Sequence, residues 1–203
     1  MLNPPRALDE GRGVQNEKNI TMKTIYDWVS DTKESRSSHT PNYMDKPDFY
    51  IYGGQTNNAG FGTGQRWNQW ARKAQYGPEV HGNDIEIIRQ DKKFLSQSKV
   101  DAEEQLHINT LRKVARDATS VGVHVVCCNR NNAHKATYEA GTIDKKLYNQ
   151  VMKKVGAWKL WKSYLKSLRK YAATAKKEKG ERGEMYKGYE TELGKIIKDL
   201  NFS

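Results

Sequence analysis

Residues 48–56 read DFYIYGGQT, and the rest of the chain is organised around this stretch. Aromatic and β-branched side chains from Asp48 to Tyr52 suit a pleated, half-buried surface, so a strand is expected there, ended by Gly53-Gly54. Downstream, the glycine-rich NAGFGTG runs into QRWNQWARKAQYG. Trp67, Trp70, Ala71 and Ala74 recur there at helical spacing, and Gly77-Pro78 stop the helix. DIEIIR, residues 84–89, alternates as a third strand would. Residues 100–120 contain neither Gly nor Pro and bring Leu106, Leu111, Val114, Ala115 and Ala118 near one face of a helix. VGVHVVCC follows as a short strand or a buried extended piece.

Upstream, TIYDWV at residues 24–29 is the first strand, joined to DFYIY by a polar, turn-rich loop. Residues 1–21 read as a mobile leader. From Ile143 onward the pattern is helical. Leu147, Val151, Val155, Trp158, Trp161, Leu165 and Leu168 trace one stripe, and lysines crowd the other faces. KKEKGERG breaks this region before a last short helix, GYETELGKIIKDL. The expected fold is α+β: a small three-stranded, mostly antiparallel sheet flanked by helices, followed by a basic helical C-terminal region. The expected units are a leader (1–21), a core domain (22–132) and the basic helices (143–203).

The 203 residues carry a formal net charge of +11, and only 36% are hydrophobic. Such an excess of Lys and Arg favours a polyanionic partner, because each cation set beside a phosphate releases condensed counterions. The two cysteines, Cys127 and Cys128, are adjacent and cannot close an ordinary disulfide, which points to a reducing cytoplasm. No apolar run has the length of a membrane span, and MLNPPRALDEGRGVQ lacks a secretory signal's apolar segment.

Five features together resemble the GIY-YIG nucleases. YGGQT, Tyr52 to Thr56, looks like the second half of that signature, and Thr24-Ile25-Tyr26 looks like the first. Arg66-Trp67 opens the next helix, as the family's arginine does. AEEQLHI lies in the following long helix, where the family carries its metal-binding glutamate, and Asn129 follows an apolar stretch. The likeness spans roughly Thr24 to Asn132. It departs from the family at Thr24 and Gly53, in the long loop between the two tyrosines, and at Trp70, where a His or Tyr is usual.

The resemblance implies a DNA endonuclease of phage or mobile-element type that hydrolyses phosphodiesters with Mg²⁺ or Mn²⁺. It implies catalytic roles for Tyr26, Tyr52, Arg66, Glu104 and Asn129. Such hydrolysis needs an activated water and a counter-charge for the pentacovalent phosphate. Glu104, with Glu103 as the neighbouring alternative, would hold the cation, since a single carboxylate suffices for an ion that keeps most of its waters. Arg66 would grip a phosphate. One of the two phenols, standing beside the metal, would orient or deprotonate the water, and Asn129 would brace the site. Arg72, Lys73, Lys153, Lys154, Lys159, Lys162, Lys166, Arg169 and Lys170 would contact DNA backbone. His81 could stand in for the proton carrier missing at Trp70, and His124, Cys127, Cys128 and His134 could form a zinc site. A basic protein that binds nucleic acid without cutting it, or is virion-associated, is the alternative reading of the same charge.

Overall fold

Strand β1, Ile20–Asp31, takes in the TIYDWV run and pairs on both sides. In this computed structural model, which describes residues 20–31, 47–56, 85–129, 142–178 and 180–200, β2 is Phe49–Thr56 and β3 is Ile85–Ser96. Both run antiparallel to β1. Tyr26 stands opposite Gly54 on one side and Gln90 on the other, with a register shift toward β3 between Asp27 and Trp28.

The α+β class holds, but the sheet is four-stranded and mixed. The order is β3-β1-β2-β4, with β4, Val125–Cys127, parallel to β2. Three residues are too few to announce a strand by alternation. β4 is held instead by its approach to Asp48. The Asp48 and Phe49 N–H groups donate to the His124 carbonyl at 2.6 and 3.2 Å, and the Asp48 carboxylate accepts from the His124 N–H at 2.8 Å.

Two other boundaries differ from the sequence reading. β1 begins at Ile20, inside the stretch assigned to the leader, and β3 continues beyond Arg89 to Ser96. The segment QDKKFLS looks too polar for a strand, but β3 is an edge strand, where lysines such as Lys92 and Lys93 discourage pairing with another chain.

Helix α1, Gln97–Thr119, follows β3 directly and buries Val100, Ile108, Leu111, Val114 and Ala118. Helix α2, Lys145–Lys154, is capped by Asp144, whose carboxylate accepts from the Leu147 N–H at 3.0 Å. Burial disfavours that carboxylate, but the Leu147 N–H and the Arg89 guanidinium outweigh it and hold the Asp144 pKa below the usual range. The stripe from Leu147 to Leu168 is not one helix. Gly156, at φ 74°, separates α2 from α3, Trp158–Ala175. Helix α4, Glu181–Asp199, starts at Glu181 rather than near Gly188, after Gly180 at φ 82°. No helix among the described residues is long and apolar enough to cross a membrane.

One apolar cluster joins these elements. Val29, Phe49 and Ile51 from the sheet meet Leu111 and Val114 of α1, Leu147 and Val151 of α2, and Trp161 and Leu165 of α3. The inner faces of the basic C-terminal helices thus enter the same core as the sheet. Each such side chain contributes roughly 1.5–3 kcal/mol by leaving water.

Beside this core is a buried polar link between α1 and α2. The Tyr148 hydroxyl donates to Asp117 Oδ2 at 2.7 Å, and Lys113 Nζ lies 2.8 Å from the same oxygen. Burial and the Asp117 charge both hold the phenol far above its ordinary pKa, so it remains a donor. Tyr148→Phe leaves the buried Asp117 carboxylate short of a partner. It is expected to destabilise the fold by about 1–3 kcal/mol, read as a shifted denaturation midpoint with unchanged slope.

Candidate active site

Side chains alternate along β2. Phe49 and Ile51 enter the cluster under α1, and Gly53 and Gln55 continue that face. Tyr50 and Tyr52 turn to the opposite face, where they pack with Tyr26 and Trp28 of β1. The Tyr26 and Tyr52 rings lie 6.2 Å apart, and Trp28 stacks on Tyr52 at 5.7 Å. Gly54 makes this closure possible. A Cβ there would sit 2.8 Å from Tyr26 Oη and 2.7 Å from Tyr52 Cε1, closer than real Cβ atoms come. Tyr26 is fully buried and Tyr52 half-buried.

The other face of β2 meets the start of α1. Gln55 Nε2 donates to Glu104 Oε2 at 2.7 Å and to Asp101 Oδ1 at 2.8 Å, and Gln97 donates to the same Asp101 oxygen at 2.6 Å. Glu103 turns elsewhere, into an ion pair with Lys93 of β3. One turn further along α1, His107 Nδ1 lies 2.8 Å from Asp27 Oδ2, off the line of a good hydrogen bond. Both side chains are almost wholly buried, and Gly53 leaves the room for Asp27: a Cβ at Gly53 would stand 2.6 Å from Asp27 Oδ1.

Asn129 works through the backbone of the same segment. β4 ends at Cys127, the Cys128 N–H donates to the Ile51 carbonyl at 2.8 Å, and the Asn129 carboxamide then takes the next rung of the ladder. Its Oδ1 accepts from the Gly53 N–H at 3.0 Å and its Nδ2 donates to the Gly53 carbonyl at 2.7 Å. A side-chain amide carries the same donor and acceptor as a peptide group, so it satisfies two buried backbone groups that the strand cannot.

Four of the five expected catalytic residues thus meet one segment, Tyr52 to Gln55: Tyr52 belongs to it, Tyr26 covers Gly54, Asn129 brackets Gly53 and Glu104 holds Gln55. They do not gather around a single point. The phenols project from one face of the sheet, and Glu104 bonds on the other. Expecting both tyrosines beside the cation held by Glu104 is therefore corrected: residues 52 and 55, an odd number of steps apart, must face opposite ways.

Comparisons with protein families, with curated proteins and with solved structures return no match for this chain.

Arg66, Arg72, Lys73, Trp70, His81 and His134 lie outside the described residues. Cys127 and Cys128 are both free. Burial pushes the Cys127 thiol up to about 11, and its Sγ lies 3.6 Å from Asn129 Oδ1. Among the described residues no three His, Cys, Asp or Glu side chains group as metal ligands, and His124 forms no zinc site with these cysteines there. A magnesium-type ion asks less. It takes one or two carboxylates and keeps its waters. Asp101 and Glu104, one helical turn apart and sharing the Gln55 amide, offer hard oxygen donors of that kind.

Asp101, Gln55, Asp27 and His107 were missed as a group in the sequence. The available signal was the spacing Asp101-x-x-Glu104-x-x-His107, which lines one helix face. Burial raises the Glu104 pKa, with the Asp101 charge adding and the Gln55 amide opposing. Burial also raises Asp27, against the attraction of His107. A carboxyl whose folded pKa is raised binds its proton more tightly in the native state, so its stabilising contribution is lost as pH rises through that folded pKa. Asp27→Asn removes this group's share. Its thermal midpoint should vary less with pH above about 4 than the wild-type midpoint does.

On the C-terminal helices, Lys154 of α2 pairs with Glu86, and Lys153 lies over the Trp158 ring at 5.6 Å. Lys159, Lys166, Arg169 and Lys170 of α3 are exposed and Lys162 is partly so. Among the described residues none of the five is in an ion pair.

Proposed function

We propose that the chain is a metal-dependent endonuclease that hydrolyses phosphodiester bonds in DNA. The observation that carries this reading is the convergence of Tyr26, Glu104 and Asn129, distant in sequence, on the segment YGGQT. In this reading Glu104, assisted by Asp101, holds a Mg²⁺ or Mn²⁺ ion, which supplies counter-charge for the pentacovalent phosphate. Gln55 orients both carboxylates. Tyr52, the more exposed phenol, contacts the substrate, and the buried Tyr26 positions it through their ring contact. Asn129 fixes the strand that carries Tyr52 and Gln55. Arg66 offsets phosphate charge, and the cations of α3, with Lys153, Arg72 and Lys73, hold the DNA backbone.

A second reading has a specific observation in its favour. The phenols and the carboxylate emerge on opposite faces of the sheet, and α3 alone carries five cations and no acid. That arrangement suits a basic protein that holds nucleic acid without cutting it. An end-labelled DNA duplex incubated with Mg²⁺, with Mn²⁺ and with EDTA separates the two. Fragments in either cation and none in EDTA support hydrolysis. Retarded but uncut duplex under all three conditions supports simple binding.

A further inference from the structure

Asp27 and His107 stand where β1, β2 and α1 meet. His107 Nδ1 lies 2.8 Å from Asp27 Oδ2, and the two side chains are 1% and 0% exposed. Gly53 closes over them: a Cβ there would stand 2.6 Å from Asp27 Oδ1 and 3.6 Å from His107 Cβ. Among the described residues Asp27 Oδ1 and His107 Nε2 have no hydrogen-bond partner.

Such a pair gains the fold little. Removing a carboxylate and an imidazole from water is offset only when their remaining polar atoms are satisfied, and apolar side chains of similar size often serve stability as well or better. What apolar packing lacks is direction. Val100, Ile108 and Leu111 of α1 can bury their surface over a range of helix rotations, whereas a polar contact holds at one. Among the described residues the polar contacts of the first turns of α1 with the sheet, Gln55 with Asp101 and Glu104 and Lys93 with Glu103, are only part-buried, so water competes for them. Water does not reach the contact between Asp27 and His107.

His107 follows Glu104 by three residues, so the two are neighbours on one face of α1. Asp27 meets His107 from β1, and Gln55 meets Glu104 from β2. A rotation or slip of α1 that broke the first contact would carry Glu104 off the second. We infer that Asp27 and His107 are positioning residues for Glu104: their buried contact sets the rotation of α1 at which that carboxylate faces Gln55 and can hold a divalent cation. The inference rests on the reading of Glu104 as a cation ligand.

Manganese binding to the full chain, without DNA, tests it. Free Mn²⁺ is read from its electron paramagnetic resonance signal, and the folding of each variant from urea denaturation. Asp27→Leu combined with His107→Leu removes both polar groups together and strands no carboxylate, so its stability should stay near that of wild type. Its Mn²⁺ affinity should still fall by roughly 10- to 100-fold, the usual loss when a group that orients a metal ligand is removed. Asp27→Asn keeps an oxygen facing Nδ1 and should bind Mn²⁺ much as wild type does. If the double Leu variant does not fold, Asp27→Asn combined with His107→Leu carries the same expected loss.

Wild-type Mn²⁺ affinity in a folded chain that lacks the contact overturns the proposal. So does affinity lost only in proportion to the unfolded fraction, which leaves the pair a purely structural role, and so does Asp27→Asn binding as weakly as the double variant. Glu104→Gln separates the two readings. If it binds Mn²⁺ as tightly as wild type, the cation reading of Glu104 fails and this inference with it. If it is weakened and the double variant is not, the positioning role alone fails.

Discussion

Glu104→Gln is expected to reduce cleavage of a DNA duplex by roughly 100-fold or more while leaving duplex affinity unchanged. The magnitude is that of removing a group that stabilises developing charge in a water-poor site. The substitution preserves shape and can still accept from Gln55, so the start of α1 stays where it is. What it removes is the negative charge that a hard divalent cation requires. Asp101→Asn, on the same amide, should show a smaller loss that added metal partly restores. Glu103→Gln is the internal control, because its carboxylate serves Lys93 rather than β2. Rates measured under single-turnover conditions, with affinity measured separately in EDTA, separate a lost cation from a lost grip on DNA.

Asn129→Ala should cost roughly 2–6 kcal/mol of folding stability, because it strands two buried backbone groups at about 1–3 kcal/mol each. The Gly53 N–H and C=O turn away from β1 toward the Asn129 amide. Water cannot replace that partner without opening the edge between β2 and β4. Asn129→Asp keeps the acceptor for the Gly53 N–H but sets a carboxylate against the Gly53 carbonyl, so it should not rescue. Urea denaturation with unchanged slope reads the loss directly. If cleavage falls with stability and returns on cooling, Asn129 serves the strand; loss of cleavage in a fully folded variant would instead give it contact with substrate.

Much of the scaffold was legible because strong local patterns agreed with the tertiary outcome. TIYDWV and DFYIY form adjacent antiparallel strands, and Leu111, Val114 and Ala118 do face the core from a long helix. VGVHVVCC was legible as a short strand, but not as a fourth member of the sheet, because the place of β4 depends on Asp48 and His124, which are brought together only in the folded chain. The break at Gly156 was hidden by an apolar stripe that continues through it, since two helices meeting one core can share a period.

The site was half legible. The alternation of β2 alone puts Tyr52 and Gln55 on opposite faces. Which of those faces α1 covers depends on how the chain turns from β3 into α1, and no local pattern in β2 encodes that. Asn129 was expected to brace the site, but its bonds to the Gly53 backbone were beyond reach, because a side chain that finishes a ladder is defined by where a three-residue strand stops. Asp27 carries no motif, and only its burial against His107 singles it out.

The most direct test of phosphodiester hydrolysis at β2 is the conversion of supercoiled plasmid by the purified chain in Mg²⁺. Nicked or linear product is expected, its formation abolished by EDTA and nearly so by Glu104→Gln. Plasmid that stays supercoiled while retarded complexes form, or a Glu104→Gln chain that cuts at the wild-type rate, would contradict it.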